Sequence, residues 1–192
     1  MAKTLFYTAT SIDGFIADEQ NSLQWLFDVP AGDDDKGHEA RFARFFEDVG
    51  AMAMGSTTYL WVVEHESLVE HPEKWETFYG GKPCWVFSNR DLPVIEGADV
   101  RFVHGSVAAA HPAMVEAADG RNVWIVGGGV LVAQFAEAGL LDEIQLNIAP
   151  VTLGAGAPLL PTRLFASDLS LVALERHGQF IDATYRVRRN PS

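Results

Sequence analysis

The stretch that most restricts the fold of this chain is VWIVGGGVLVAQFAEAGLLDEIQLNIAPVTLGAG, residues 123–156. A short run that is apolar throughout, VWIV, stops at Gly127, Gly128 and Gly129, and a helical pattern, VLVAQFAEAG, begins at once. A second strand-like run, EIQLNIAP, follows. Runs apolar at every position suit strands buried on both faces of a parallel sheet. Three residues without Cβ atoms at such a strand end let a ligand approach the backbone, and the helix beyond offers free N–H groups and a positive dipole end. The competing reading is a tight turn packed on the sheet. No G-x-G-x-x-G is present, so this is not the usual dinucleotide fingerprint.

The same alternation runs along the rest of the chain. Strands are predicted at TLFYTAT, AMAM, CWVF, VRFV, NVWIV, EIQLNIAP, LSLVALER and DATYRVR. Helices are predicted in GHEARFARFFEDVG, TTYLWVVEH, SVAAAHPAMVEAADG and VLVAQFAEAG. The first places Phe42, Phe45, Phe46 and Val49 on one face and ends at Gly50. In the third, Ser106 is a candidate N-cap, and Pro112 marks a kink or a start. The last two strands alternate more clearly and have no helix between them, which suits an antiparallel finish. The pattern is that of a single α/β domain over residues 1–192 with a mostly parallel sheet of about eight strands.

Charge narrows the partners. Fourteen Lys and Arg against 26 Asp and Glu give a net charge of −12, and only the tail RVRRNPS is basic, which argues against nucleic acid. The one cysteine, Cys84, lies in the apolar run CWVF and reads as buried filler. The N-terminal run LFYTATSI meets Asp13 too early for a signal sequence or membrane span, so a cytoplasmic protein without membrane contact is expected. Asp33, Asp34 and Asp35 lack calcium-loop spacing, and His65, Glu66 and His71 do not make H-E-x-x-H. No metal site and no nucleophile elbow is expected.

Two further strand ends repeat the chemistry of the glycine run. AMAMGSTTYLW has a strand, Gly55, the hydroxyls of Ser56, Thr57 and Thr58, then a helix. CWVFSNR ends in Ser88, Asn89 and Arg90, two polar groups and a fixed cation. In an open parallel sheet such ends converge on one crevice. The ordered set TATSIDGFIAD, MGSTTY, VFSNR, VGGGVLVAQF and LLDEIQLNIAPVTLGAG resembles the dihydrofolate reductase-like superfamily. It is most similar to the reductase domain of the bifunctional riboflavin-biosynthesis deaminase/reductase and its stand-alone relatives. No zinc-deaminase H-x-E or P-C-x-x-C pattern occurs.

The resemblance implies a three-layer sandwich, NADPH binding and hydride transfer to a small heterocycle, pyrimidine- or pterin-like. Carried over by position, Ala9, Ile16 and Ala17 would flank the nicotinamide, and Gly55 to Thr58 with Gly127, Gly128, Gly129, Val130 and Leu131 would hold the pyrophosphate. Ser88, Asn89 and Arg90 would surround the adenosine ribose and its 2′-phosphate. The family commonly has Arg where this chain has Ser56; serine cannot fork onto a phosphate, so NADH stays open beside NADPH.

Hydride transfer leaves negative charge, so a proton source helps. In the folate enzymes an acid lies sixteen positions before the motif glycine, and Glu39 stands at that offset from Gly55. A role for Glu39 in complementing the helix dipole is the alternative. Asp13 is the second candidate acid, although Asp before Gly is ordinarily a turn residue. Trp25 is a candidate substrate platform, and Lys82 falls roughly where folate enzymes bind a substrate carboxylate; core packing and a solvated surface are their plain alternatives. A nucleotide-binding protein of the same fold without turnover is the competing function. Related reductase domains pair through EIQLNIAP and the last strand, so a homodimer is expected.

Overall fold

The computed structural model describes residues 2–30 and 35–188, with side chains given for all of these but residues 35–39. In chain order the elements are β1 Thr4–Thr10, β2 Phe15–Ala17, α1 Gln24–Phe27, α2 Asp35–Glu47, β3 Val49–Gly55 and α3 Ser56–His65. Then come α4 Glu73–Tyr79, β4 Cys84–Phe87, β5 Val100–Val103, α5 Val107–Ala117, β6 Asn122–Gly127 and α6 Gly129–Glu137. The chain closes with β7 Glu143–Ile148, β8 Ala157–Pro158, β9 Leu169–His177 and β10 Phe180–Val187. The main sheet has eight strands in the order β5-β4-β3-β6-β1-β7-β10-β9. Pairings from β5 through β7 are parallel, and β10 runs antiparallel to both β7 and β9.

Two cores lie on the two faces of the sheet and make the expected three layers. On one, Met114 of α5 and Leu131 and Phe135 of α6 pack on Phe6, Ala53 and Ile125. On the other, Tyr59 and Val62 of α3 and Trp75 of α4 pack on Met52, Met54 and Val86. Cys84 is buried in this second core, and burial pushes its thiol pKa up, as for an inert apolar filler. The phenylalanines of α2 meet the same face. Phe45 stacks on Tyr7 with centroids 4.5 Å apart, and Phe42, Phe45 and Phe46 all set rings against Trp124.

The expected helix end at Gly50 is corrected. The helix stops at Glu47, and Val49 and Gly50 open β3. Glycine is there for packing, because a Cβ on Gly50 would stand 2.1 Å from the Ala118 carbonyl oxygen. Pro112 neither starts nor ends a helix; α5 runs through it, with Ser106 as the cap. A two-stranded ribbon, β2 with β8, adds a wall beside the main sheet.

Candidate functional site

Parallel strands place their carboxyl ends, and the helices that follow, on one edge of the sheet. Here that edge holds a cleft of about 610 Å³, in the range of small-molecule sites. Ala9, Ile16, Ala17, Trp25, Gly55 to Thr58, Ser88, Asn89 and Gly127 to Leu131 all line it. Stretches as far apart in the chain as β1 and α6 are therefore neighbours in space.

The helix starts explain the glycines. Three helices of the sandwich are capped at nearly the same backbone geometry: Gly55 at φ −78°, ψ 159° for α3, Ser106 at −79°, 148° for α5, and Gly128 at −70°, 159° for α6. Ser106 Oγ accepts the Ala109 N–H and so caps α5 from within the chain. At Gly55 and Gly128 no side chain does this, and the first N–H groups of α3 and α6 are left to whatever enters the cleft.

The glycines are not equivalent. A Cβ on Gly55 would meet nothing nearer than 3.8 Å, and one on Gly128 only Thr58 Oγ1 at 3.8 Å, so protein packing does not demand glycine at either place. A Cβ on Gly127 would press on Thr58 Oγ1 at 3.0 Å, where the two helix starts adjoin. Gly129 is structural, since a Cβ there would stand 2.1 Å from the Pro158 carbonyl oxygen of β8. The second glycine of GAG in VTLGAG has the same cause: a Cβ on Gly156, at φ +142°, would sit 2.1 Å from Ala17 O of β2. The run of glycines thus combines an open cradle with the close packing of the β2–β8 wall.

Arg90 reaches back to this cradle. Its Nη2 donates to Ser56 Oγ at 3.0 Å, while its own N–H donates to Ser88 Oγ at 2.9 Å. A cation therefore stands over Ser56, where the resemblance leads one to expect an arginine. Among the described residues, no Asp, Glu, Lys or Arg is part of the cleft lining. The polar character of the cleft comes from backbone, hydroxyl and amide groups, with Arg90 at its margin.

Two candidates lie elsewhere. Asp13 does not line the cleft. Its carboxylate accepts Ser11 Oγ at 2.6 Å, Gly154 N at 2.7 Å and Leu153 N at 3.1 Å, tying the first turn to the 150s loop. Those hydrogen bonds, Ser11's foremost, hold its pKa below the ordinary carboxylate value, the wrong direction for a proton donor at neutral pH. Lys82 precedes β4, at the opposite end of that strand from the cleft, with Nζ 4.4 Å from the Phe46 ring centroid. Burial, then the charge of Arg121, lowers its pKa. Neither is among the described residues that line the cleft. Glu39 belongs to α2, but its side chain, like Asp33 and Asp34, lies outside the described residues.

Sequence reasoning missed other parts of the wall. Trp61 of α3, Leu26 of α1 and Pro158 of β8 line the cleft. Trp61 stacks on His65 at 4.4 Å, and His65 lies parallel to Phe27 at 6.0 Å, which ties the α1 segment to α3. The aromatic pair at i and i+4 in YLWVVEH was a legible signal; the β2–β8 pairing had none. Among the described residues, no group of three or more His, Cys, Asp or Glu is arranged to hold a metal ion, and no helix is long and apolar enough to cross a membrane.

Comparison with known proteins gives the same frame. The chain is 31% identical over 183 residues to the uncharacterized protein YwjB of Bacillus subtilis (strain 168), covering 95% of this chain and 97% of that one. Among solved structures it is similar to a protein of Shewanella sp. PV-4 assigned by name to riboflavin biosynthesis. That match has a TM-score of 0.75 and 30% identity, over 98% of this chain and all of that one (100%). The fold is also that of a Thermotoga maritima diaminohydroxyphosphoribosylaminopyrimidine deaminase/5-amino-6-(5-phosphoribosylamino)uracil reductase, at TM-score 0.60 and 15% identity, with 97% of this chain matched to 56% of that chain. Residues 62–181 match the model of the RibD C-terminal domain. With α3, the glycine cradle and the antiparallel finish all inside or beside that span, the chain belongs to the RibD C-terminal domain family, a reductase-type fold.

Proposed function

We propose that this protein is an NADPH-dependent reductase that transfers a hydride to a small heterocyclic substrate of the pyrimidine or pterin kind. The observation that carries the reading is the pair of helix starts at Gly55 and Gly128. Two helices of ten and nine residues, both without side-chain caps, open onto one cleft beside glycines that protein packing does not require. An anion held there is compensated by N–H groups and dipoles rather than by side-chain cations.

In this reading Ser56, Thr57 and Thr58 with Gly127 to Leu131 hold the pyrophosphate, Ser88 and Asn89 the adenosine ribose, and Arg90 the 2′-phosphate. The Arg90–Ser56 hydrogen bond supports the last assignment, because it keeps a fixed cation over the cradle. Ala9, Ile16 and Ala17 flank the reactive ring; small side chains at 9 and 17 leave room for a flat face. Trp25 stands beside the substrate, and the β2–β8 wall excludes water. When bound, a reduced nicotinamide supplies the hydride; this chain orients it and furnishes a proton path to the substrate atom that gains charge. Glu39 is the proposed source of that proton, by its offset from Gly55.

The protein is further proposed to work in the cytoplasm as a homodimer. Leu171, Val172 and Leu174 of β9 and Ile181 of β10 are exposed at the sheet edge, a patch that a second copy would cover. Fluorescence titration with NADPH and NADH tests the cofactor assignment. Tighter binding of NADPH supports it, and equal affinities would remove it.

A further inference from the structure

Beyond the cofactor cradle, the sheet carries a second polar centre. Read across the strands β4, β3, β6, β1, the cleft lining passes from Asn89 and Gly55 through Gly127 to Ala9. Continuing in the same direction, the register pairs Ala9 with Asn147 of β7 and Asn147 with Asp182 of β10. Directly paired residues share a face, so these three stand side by side, each roughly 5 Å from the next. Arg41 of α2 descends on the same face and forms an ion pair with Asp182. Asn147 Nδ2 donates to Asp182 Oδ1 at 2.5 Å, and His177 Nε2 lies 3.3 Å from Asp182 Oδ2.

These contacts leave an unusual remainder. Arg41 Nε and Nη2, Asn147 Oδ1 and the Tyr7 hydroxyl are buried with no hydrogen-bond partner among the described residues; so is Trp25 Nε1 on the cleft wall. Tyr7 lies two residues before Ala9 and so on its face of the sheet. Asn147 itself is only 2% exposed. A buried polar group without a partner costs about 1–3 kcal/mol, so the group formed by Arg41, Asn147 and Tyr7 on one face of the sheet is arranged for something that completes it.

We propose that Arg41, Asn147 and Trp25 seat the reducible ring of the substrate, and that this ring is a neutral, planar cyclic amide carrying no phosphate. This rests on the reductase reading above: with the cofactor laid over β4 to β1 and its reactive ring at Ala9, the substrate ring lies next along the sheet, over β7 and β10. Arg41 Nε and Nη2 are adjacent donors in one plane and match a carbonyl oxygen beside a ring nitrogen. Asn147 Oδ1 accepts a ring N–H, and Trp25 Nε1 donates to a second carbonyl. Arg41 and Asn147 lie outside the described lining of the cleft; Arg41 is neutralised by Asp182, and that lining holds no Lys or Arg. A phosphate would bring about two negative charges into this region and lose its hydration uncompensated. The reaction itself is unchanged. A hydride goes to the carbon of a ring C=N, a proton goes to its nitrogen, and the nicotinamide is oxidised by two electrons.

The test is calorimetric titration of the NADP⁺-saturated protein with pterin, with 5,6-diaminouracil and with 5-amino-6-(5-phosphoribosylamino)uracil. The neutral rings are expected to bind at least about tenfold more tightly than the phosphorylated compound. Trp25→Phe keeps the ring and loses one donor. Arg41→Met with Asp182→Asn removes the ion pair as a unit, avoiding an orphaned charge. Each should weaken the neutral rings about tenfold or more while NADP⁺ affinity and melting temperature hold. Tighter binding of the phosphorylated compound, or ring affinity unchanged in both folded variants, overturns this inference and leaves the reductase reading standing. Failure to bind NADP⁺ at all overturns that reading and this one with it.

Discussion

Replacing Gly55 by serine should make the protein slightly more stable and a markedly poorer binder of NADPH. The chain contains its own control. Ser106 caps α5 from a backbone of φ −79° and ψ 148°, and Gly55 precedes α3 at −78° and 159°. A Cβ at Gly55 meets no atom nearer than 3.8 Å, so serine fits without displacement. Its hydroxyl should then accept an N–H of the first turn of α3, as Ser106 accepts Ala109 N at 3.3 Å. An N-cap serine in place of glycine is worth a few tenths of a kcal/mol. The N–H it takes is one on which the pyrophosphate would rely. A hydrogen bond to a charged group contributes about 1.5–3 kcal/mol, so Kd should rise roughly 10- to 150-fold. Thermal melting with and without NADPH, together with fluorescence titration, reads both quantities. A purely structural role for the glycine predicts unchanged affinity, and a variant that melts no lower and binds as well as the native protein would refute the reasoning. Gly129→Ala is the contrasting case: its Cβ would stand 2.1 Å from Pro158 O, so it should lower the melting temperature whether or not ligand is present.

Arg90→Ala should abolish most of any preference for NADPH over NADH, a change of about 10-fold or more, and leave NADH affinity nearly unaltered in parallel titrations. Glu39→Gln should leave cofactor affinity in place and reduce turnover by about 10²-fold, with the loss shrinking at low pH in steady-state assays; unchanged turnover would move the proton source elsewhere. Burial, with a smaller contribution from Cys84, pushes the Tyr59 pKa up to about 12, and its hydroxyl donates to Pro93 O at 2.7 Å. The folded state therefore keeps that proton after the unfolded chain has lost it. Stability should be insensitive to Tyr59 below about pH 10 and fall as the pH rises toward 12, an alkaline decline that Tyr59→Phe should reduce in pH-dependent melts. Light scattering at micromolar concentration should give the mass of a dimer, and Leu174→Lys on the exposed edge should shift it to a monomer.

The parts of this fold that were legible in the sequence are those with local causes. VWIV and CWVF are apolar at every position because both faces of their strands are covered, whereas the alternation read in LSLVALER is not matched by burial: β9 is the edge strand and is exposed from Leu171 to Arg176. Convergence of Gly55, Ser88 and Gly127 on one cleft followed from placing parallel strand ends together. Gly50 misled because a glycine after a helical pattern ordinarily stops a helix, whereas here the carbonyl of Ala118, far along the chain, leaves no room for a Cβ. Lys82 was placed by offset alone, and the helix α4 before it ends at Gly80, which leaves it at the far end of β4. The pairing of Phe15–Ala17 with Ala157–Pro158 is too short to carry a period, and nothing local announces that Arg41, Asn147 and Asp182 meet.

The central claim is that this cleft conducts hydride transfer from NADPH, and its most direct measurement is the loss of NADPH absorbance at saturating protein-bound cofactor across a panel of pyrimidine and pterin substrates. The account predicts oxidation that depends on one of these heterocycles, that is stoichiometric with its reduction, and that Gly55→Ser suppresses when NADPH is subsaturating. Tight NADPH binding with no oxidation by any member of the panel would contradict it and identify the protein as a binder of the nucleotide rather than a reductase.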